Sequence, residues 1–276
     1  KAGDASAQRS IGRLYEIGGI LGSDEKAAEW YREAAKQGDT SAQFALGRLY
    51  AQGALGAPDS ATAAEWYEKA AERGHIHAQF SLALAYETGR GRAQDETQAA
   101  RWYRRAAEQG EVRAQFILGK MAEEGRGMNK SETQAADWYH RAAGQGHTEA
   151  QLSLARMYEQ GRGVVRSETS AARWYLRAAE SGEVSAQHIV GSMFEEGRGV
   201  PPDSAQAAKW YKKAAEHGHA AAQFSLGRLY TNGLGEKPDD AEAASLYKKA
   251  AEQGYAPAQV SVGWSYGFGS VVVRNE

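Results

Sequence analysis

The pair Ala-Gln returns down the whole chain, at Ala7-Gln8, Ala42-Gln43, Ala78-Gln79, Ala114-Gln115, Ala150-Gln151, Ala186-Gln187, Ala222-Gln223 and Ala258-Gln259. The spacing is 35 residues once and 36 residues thereafter. Trp-Tyr keeps the same beat, at Trp30, Trp66, Trp102, Trp138, Trp174 and Trp210, and becomes Leu246-Tyr247 at the seventh place. The one missing residue lies between Tyr15 and Trp30. A period of this length marks one supersecondary unit that cannot bury its apolar face alone, so successive units must stack. The 276 residues then hold seven full units and the first half of an eighth.

Each unit reads as two helices. In the unit from Asp39 to Gly74, the first helix is expected over about Thr40–Gln52 and the second over about Asp59–Arg73. Ala42, Leu46, Leu49, Tyr50 and Gly53 fall on one face at helical spacing and should be buried. Positions 41, 44, 45, 48, 51 and 52 are expected on the opposite face. Gly53 and Gly56 can end the first helix, because glycine enters the left-handed conformation at little cost. Asp59, Asp95, Ser131, Ser167, Asp203 and Asp239 stand where a second-helix N-cap belongs. Gly47, Gly119, Gly191 and Gly227 interrupt first helices, at about 1 kcal/mol each relative to alanine. A small residue there lets a neighbouring helix approach, and Ala83 and Ala155 fit the same place. The Trp-Tyr pair is expected to fill the space between successive hairpins.

Composition closes several alternatives. There is no cysteine, hence no disulfide framework and no cysteine-based zinc or redox site. Thirty-three basic residues balance 35 acidic ones, so nothing draws the chain to nucleic acid. The longest strongly apolar run, Val271-Val272-Val273, is too short to insert into a bilayer.

Units of the form Ala-Gln-Phe-x-Leu-Gly-x-x-Tyr followed by Ala-Ala-x-Trp-Tyr-x-x-Ala-Ala-Glu-x-Gly resemble Sel-1-like repeats, a branch of the tetratricopeptide-like solenoids. Ala222 to Tyr230 shows the first half and Ala207 to Gly218 the second. The resemblance implies an all-α, right-handed α-solenoid superhelix of helix-turn-helix repeats. It forms a single domain over 1–276, with repeats at about 4–38, 39–74, 75–110, 111–146, 147–182, 183–218 and 219–254 and a partial repeat and cap over 255–276. It also implies a bacterial, non-catalytic protein that binds another protein through its concave face and C-terminal end, as a monomer without cofactors. Adaptors and immunity proteins that neutralise secreted phospholipase-type effectors are the implied roles, in the periplasm or cell envelope, with the cytoplasm as the alternative. A hydrolase of the β-lactam-binding type belongs to cysteine-rich relatives, and this chain departs from them.

Candidate chemistry is sparse. The Gly-x-Gly turns at Gly89, Gly125, Gly161 and Gly197 follow a helix rather than a strand, so they read as turns and not as phosphate loops. His75-x-His77 and His217-x-His219 lack a third ligand at metal-site spacing. No nucleophile elbow or His-Glu-x-x-His occurs.

The informative variation lies on the first helices. Position 44 and its equivalents are Arg9, Phe44, Phe80, Phe116, Leu152, His188, Phe224 and Val260; the aromatics there are expected to pack between neighbouring first helices, with a ladder that grips an extended peptide as the alternative, and Arg9 and His188 are expected to face solvent. Position 48 and its equivalents are Arg13, Arg48, Leu84, Lys120, Arg156, Ser192, Arg228 and Trp264. Arg13 with Glu16, Lys120 with Glu123, and Arg156 with Glu159 have i,i+3 pairing distance. Arg48 and Arg228 lack that acidic neighbour and would be available to a partner's carboxylates. Leu84, Ile117 and Ile189 place aliphatics where other units carry charge or serine. Trp264 and Phe268 project together from the last helix, either to cover the end of the array or to anchor a partner. The partner-binding set is therefore Arg48, Leu84, Ile117, Lys120, Arg156, Ile189, Arg228, Trp264 and Phe268. At the termini, Lys1 to Asp4 aligns with Lys36 to Asp39, so the chain should begin at the end of a preceding second helix, and Ser270 to Glu276 should fold over the open end.

Overall fold

The computed structural model describes residues 3–18, 22–234 and 239–268, with side chains as far as residue 262 in the last stretch. Among these residues there are fifteen α-helices and no strand. The first helices are α1 Ala5–Ile17, α3 Thr40–Gln52, α5 Ile76–Thr88, α7 Val112–Glu124, α9 Thr148–Gln160, α11 Val184–Glu196, α13 Ala220–Asn232 and α15 Ala256–Phe268. The second helices are α2 Asp24–Lys36, α4 Ser60–Glu72, α6 Glu96–Glu108, α8 Glu132–Gly144, α10 Glu168–Glu180, α12 Ser204–Glu216 and α14 Asp240–Glu252. The chain divides into two compact units, Lys1–Ala142 and Ala143–Glu276. In the first, α1 pairs with α2, α3 with α4 and α5 with α6, while α2 packs on α3, α4 on α5 and α6 on α7. The second pairs α9 with α10, α11 with α12 and α13 with α14, and packs α10 on α11, α12 on α13 and α14 on α15.

Both ends of these helices are chemically fixed. Asp59, Asp95, Ser167, Asp203 and Asp239 cap the second helices as their sequence positions require, and Ser131 Oγ accepts from the Gln134 N–H at 3.3 Å. The first helices from α3 to α13 end on left-handed glycines such as Gly53, at φ 73°.

The hairpin closes around tyrosine. Tyr103, Tyr139, Tyr175 and Tyr211 are among the largest fully buried side chains. Each lies across the small residue of its own first helix: a Cβ on Gly119 would sit 2.6 Å from the Tyr139 ring, and one on Gly47 2.6 Å from Tyr67. The expectation that both aromatics fill the space between hairpins needs correction, because the tyrosine packs inside its own hairpin. The tryptophan is the bridging residue: Trp66 of α4 packs on the α2–α3 cluster, and Trp102 of α6 on Ala70, Ala71, Ala78 and Leu82. A cation covers the indoles of Trp66, Trp102, Trp138, Trp174 and Trp210 from one turn away, as Lys69 covers Trp66 at 4.3 Å and Arg177 covers Trp174 at 4.7 Å.

The repeating glutamine has a specific task. Its side-chain amide donates to a carbonyl in the last turn of the preceding second helix: Gln79 to Ala71 at 3.2 Å, Gln115 to Ala107 at 3.0 Å, Gln187 to Ala179 at 3.2 Å. Each of these carbonyls already accepts the N–H of the glycine that closes its own unit, as Ala71 does from Gly74 at 3.0 Å, and the glutamine adds a second bond from the next repeat. Gln109 in turn donates to Gln79 Oε1 at 2.7 Å, and Gln253 to Gln223 Oε1 at 2.8 Å. Arg73, Ser181 and His217 stand at the place of Gln109, and the buried Oε1 atoms of Gln43, Gln151 and Gln187 carry no partner among the described residues. Ser181→Gln should therefore stabilise the protein by about 1 kcal/mol, read as an upward shift of the urea midpoint at constant slope.

At Gly91, Gly127 and Gly199 the second glycine of the Gly-x-Gly turn meets the preceding repeat. Gly127 has φ 63°, and a Cβ there would overlap the carbonyl of Glu96, the first residue of α6; Gly199 stands in the same way against Glu168. These turns are packing elements, as expected.

Candidate binding surface

Carboxylates stand in the last turns of first helices in both units. Tyr31 donates its hydroxyl to Glu16 at 2.7 Å, Tyr103 to Glu87 at 2.6 Å, Tyr139 to Glu123 at 2.7 Å, Tyr175 to Glu159 at 3.1 Å and Tyr211 to Glu195 at 2.9 Å. Burial, reinforced by the adjacent carboxylate, pushes the hydroxyls of Tyr31, Tyr103, Tyr175 and Tyr211 up, so they remain protonated donors. The second partner is an arginine from the following repeat. Arg48 pairs with Glu16 and Arg228 with Glu195. From the Gly-x-Gly turns, Arg126 reaches Glu87 at 3.1 Å, and Arg198 reaches Glu159 at 3.3 Å.

This overturns one expectation. Arg48 and Arg228 have acidic neighbours, but these lie 32 and 33 residues back, on the preceding first helix. Their charge is already neutralised inside the chain. Of the glutamates expected to form pairs within one helix, Glu16 and Glu159 are engaged by tyrosine and by the next repeat, and Glu123 accepts from Tyr139.

The other selected residues divide. Leu84 is 42% exposed, and Lys120 and Arg156 are exposed. Lys120 leans over the Phe116 ring at 6.0 Å. Ile117 is half-buried against the core of α5–α7, and Ile189 is half-buried as well, so neither is an open surface residue. Their column turns inward because Ala45, expected on the outer face, is 8% exposed. Leu84 lines a groove of about 340 Å³ together with Ala51, Ser60, Tyr67, Thr88 and Arg90. The side chains of Trp264 and Phe268 lie outside the described residues.

The aromatic column packs, as expected. Phe44 lies 5.7 Å from Tyr67 and stacks on His75 at 4.7 Å, and Phe224 lies 5.4 Å from Tyr247. Arg9 and His188 do not face solvent freely. Arg9 pairs with Asp39 at 2.5 Å, and His188 stacks on His219 at 4.8 Å.

The histidines have a role that spacing alone did not disclose. Nδ1 of His75, His147 and His219 accepts the N–H of Ala78, Ala150 and Ala222 at 3.2, 3.3 and 3.2 Å, which makes each the N-cap of its first helix. Asp39, Glu111 and Glu183 cap α3, α7 and α11. Histidine and carboxylate caps thus alternate from Asp39 to His219. Among the described residues no group of three or more His, Asp or Glu is placed to hold a metal ion. Nor is any described helix long and apolar enough to cross a membrane.

A neutral ring is needed for Nδ1 to accept. Burial pushes the pKa of His75 and His219 down, and burial with the nearby His219 pushes His188 down to about 4. The unfolded chain, with histidine near 6.5, binds these protons more readily than the folded one. The stabilisation is therefore complete above about pH 6.5 and is lost as pH falls toward 4. Wild type should lose about 1–2 kcal/mol more between pH 7 and pH 5 than His188→Phe, the residue found at positions 44, 80, 116 and 224. Parallel urea melts at the two pH values check this.

The Sel1 repeat family model matches residues 5–39, 40–75, 76–111, 112–147, 148–183, 184–219 and 220–255. The chain belongs to the Sel1 repeat family. Its match boundaries fall one residue after those read from the sequence. Among solved structures, this Sel1 chain is similar to c5321, a protective antigen of uropathogenic Escherichia coli strains displaying an SLR fold, with 35% identity and a TM-score of 0.87. The similarity covers 100% of this chain but 59% of the antigen, so the Sel1 array here spans well under two thirds of that protein. A Sel1 repeat protein from Oxalobacter formigenes is 36% identical at a TM-score of 0.69, over 93% of this chain and 75% of that one. No curated protein matches the chain significantly. Sel1 repeats are a scaffold for protein–protein interaction, and the 36-residue all-helical period described above is that scaffold.

Proposed function

We propose that this chain is a non-catalytic scaffold that binds another protein through side chains on its first helices and through its C-terminal end. The observation that carries the reading is the division of labour among positions. Residues that hold repeats together, the glutamine and tyrosine positions above all, recur with little change and make their contacts chiefly within the chain. The residues that differ from repeat to repeat include Leu84, Lys120 and Arg156, which are exposed. A surface of this kind gains affinity from a few apolar anchors and sets register by charge. Adaptor and effector-neutralising roles are both forms of this activity, in a protein of the bacterial envelope or cytoplasm.

The test is capture of a partner by the purified chain, identified by mass spectrometry and followed by affinity measurements on Leu84→Ala and on Trp264→Ala/Phe268→Ala. Each variant should keep the wild-type melting temperature and weaken partner binding about tenfold or more. Lost stability with unchanged affinity would show that these residues serve only the fold. Robust β-lactam turnover abolished by a single carboxylate substitution would overturn the non-catalytic assignment.

A further inference from the structure

We propose that the joint between the second and third repeats is a receptor for a glutamate side chain carried by a partner polypeptide, with an aliphatic neighbour of that glutamate resting on Leu84. The proposal rests on the scaffold reading and names the partner's chemistry. It comes from comparing one joint with the next along the same chain.

At the joint between the third and fourth repeats, Glu87 accepts from the Tyr103 hydroxyl at 2.6 Å and from Arg126 at 3.1 Å. Arg126 is also held by Glu124 at 2.6 Å and faces Glu96 at 3.8 Å. Moving back 36 residues, Tyr103 becomes Tyr67 and Arg126 becomes Arg90, so both donors remain. Glu87, Glu124 and Glu96 become Ala51, Thr88 and Ser60, so all three carboxylates are gone. The cation of the next first helix is gone too, since Leu84 stands where Lys120 and Arg48 stand.

What remains is a cradle without its anion. Among the described residues Arg90 has no carboxylate within ion-pair distance, and the Tyr67 hydroxyl has no hydrogen-bond partner. Burial pushes the Tyr67 pKa up, which keeps its proton available for donation. Tyr67 and Arg90 line one groove of about 340 Å³, ample for a glutamate side chain, with Leu84 on its wall. The charge is complementary to one carboxylate, and the chain's other joints show how that carboxylate is held: a tyrosine hydroxyl on one side and a guanidinium on the other. The vacated position belongs to a glutamate borne on a helix, so the occupant is a glutamate side chain of another polypeptide.

The full chain, labelled at leucine methyls and arginine Nε, is titrated with acetyl-Leu-Glu-Leu-amide and with its glutamine counterpart, and observed by NMR. The Arg90 Nε–H and the Leu84 methyls should shift and saturate with the glutamate peptide, and the glutamine peptide should bind about tenfold more weakly. Ala51→Glu returns the carboxylate within the chain; it should raise the melting temperature and abolish the peptide response. Arg90→Gln, at an exposed position, should abolish the response without lowering the melting temperature. Equal binding of the two peptides, absence of a saturable shift, or an undiminished response in Ala51→Glu overturns the proposal. A natural partner whose affinity Ala51→Glu leaves unchanged sinks this site alone. A glutamate-specific response in a chain that captures no partner keeps the site and sinks the scaffold reading.

Discussion

Replacing Gly127 by alanine should cost about 3–5 kcal/mol, more than most single substitutions in a protein of this kind. Two penalties combine. At φ 63° an alanine is forced into the left-handed region, and its Cβ collides with the backbone carbonyl of Glu96 at the start of α6. That carbonyl belongs to a helix terminus packed in the preceding repeat, so it cannot swing aside as a flexible side chain would. Gly110→Ala separates the two penalties. Gly110 has φ 94°, yet a Cβ there meets nothing within 4 Å, so only backbone strain of about 1–2 kcal/mol is expected. Urea unfolding of the two variants against wild type checks the difference. Similar losses at both positions would show that the turn does not bear on its neighbour.

The second large effect is expected at Tyr103. It is 0% exposed and shares a core with Ala83, Ala99, Ala114, Leu118 and Met121, and Phe80 meets it edge-on at 5.5 Å. Tyr103→Ala removes the ring from a closely packed site and should cost about 3–5 kcal/mol. Tyr103→Phe keeps the ring and removes only the donor to Glu87, for about 1–2 kcal/mol, because Arg126 still attends that carboxylate. A phenylalanine variant as unstable as the alanine one would place the energy in the hydroxyl rather than in packing.

Much of the fold was legible in the sequence because it is local. The extents of α3 and α4 followed from capping residues and glycine stops, which act within a few residues of themselves. The column of Gly47 and Gly119 marks a point of close approach that sequence shows for the same reason. What the sequence did not disclose was the relation of one repeat to the next. A column-by-column reading compares Arg48 with Arg228 and looks for acids three residues away, whereas their partners Glu16 and Glu195 are one repeat back. Pairing the two columns with an offset of 32 or 33 residues would have found them, and would have matched Ala51 with Leu84 as a joint that had lost both members. His188 was misplaced because its column is defined by aromatic packing, and an imidazole can occupy a phenyl site when burial keeps it neutral.

The alternation of caps reaches beyond helix termini. His75, His147 and His219 lie 72 residues apart, and so do Glu111 and Glu183, Val112 and Val184, and Ile117 and Ile189. Over this stretch the chain counts in twos. A consensus averaged over 36 positions would blend imidazole with carboxylate at every first-helix cap of this stretch and isoleucine with serine in the column of Ile117, and would describe no hairpin that exists here. A faithful template for extending or redesigning the array is 72 residues long, and hairpins added singly would set two like caps side by side.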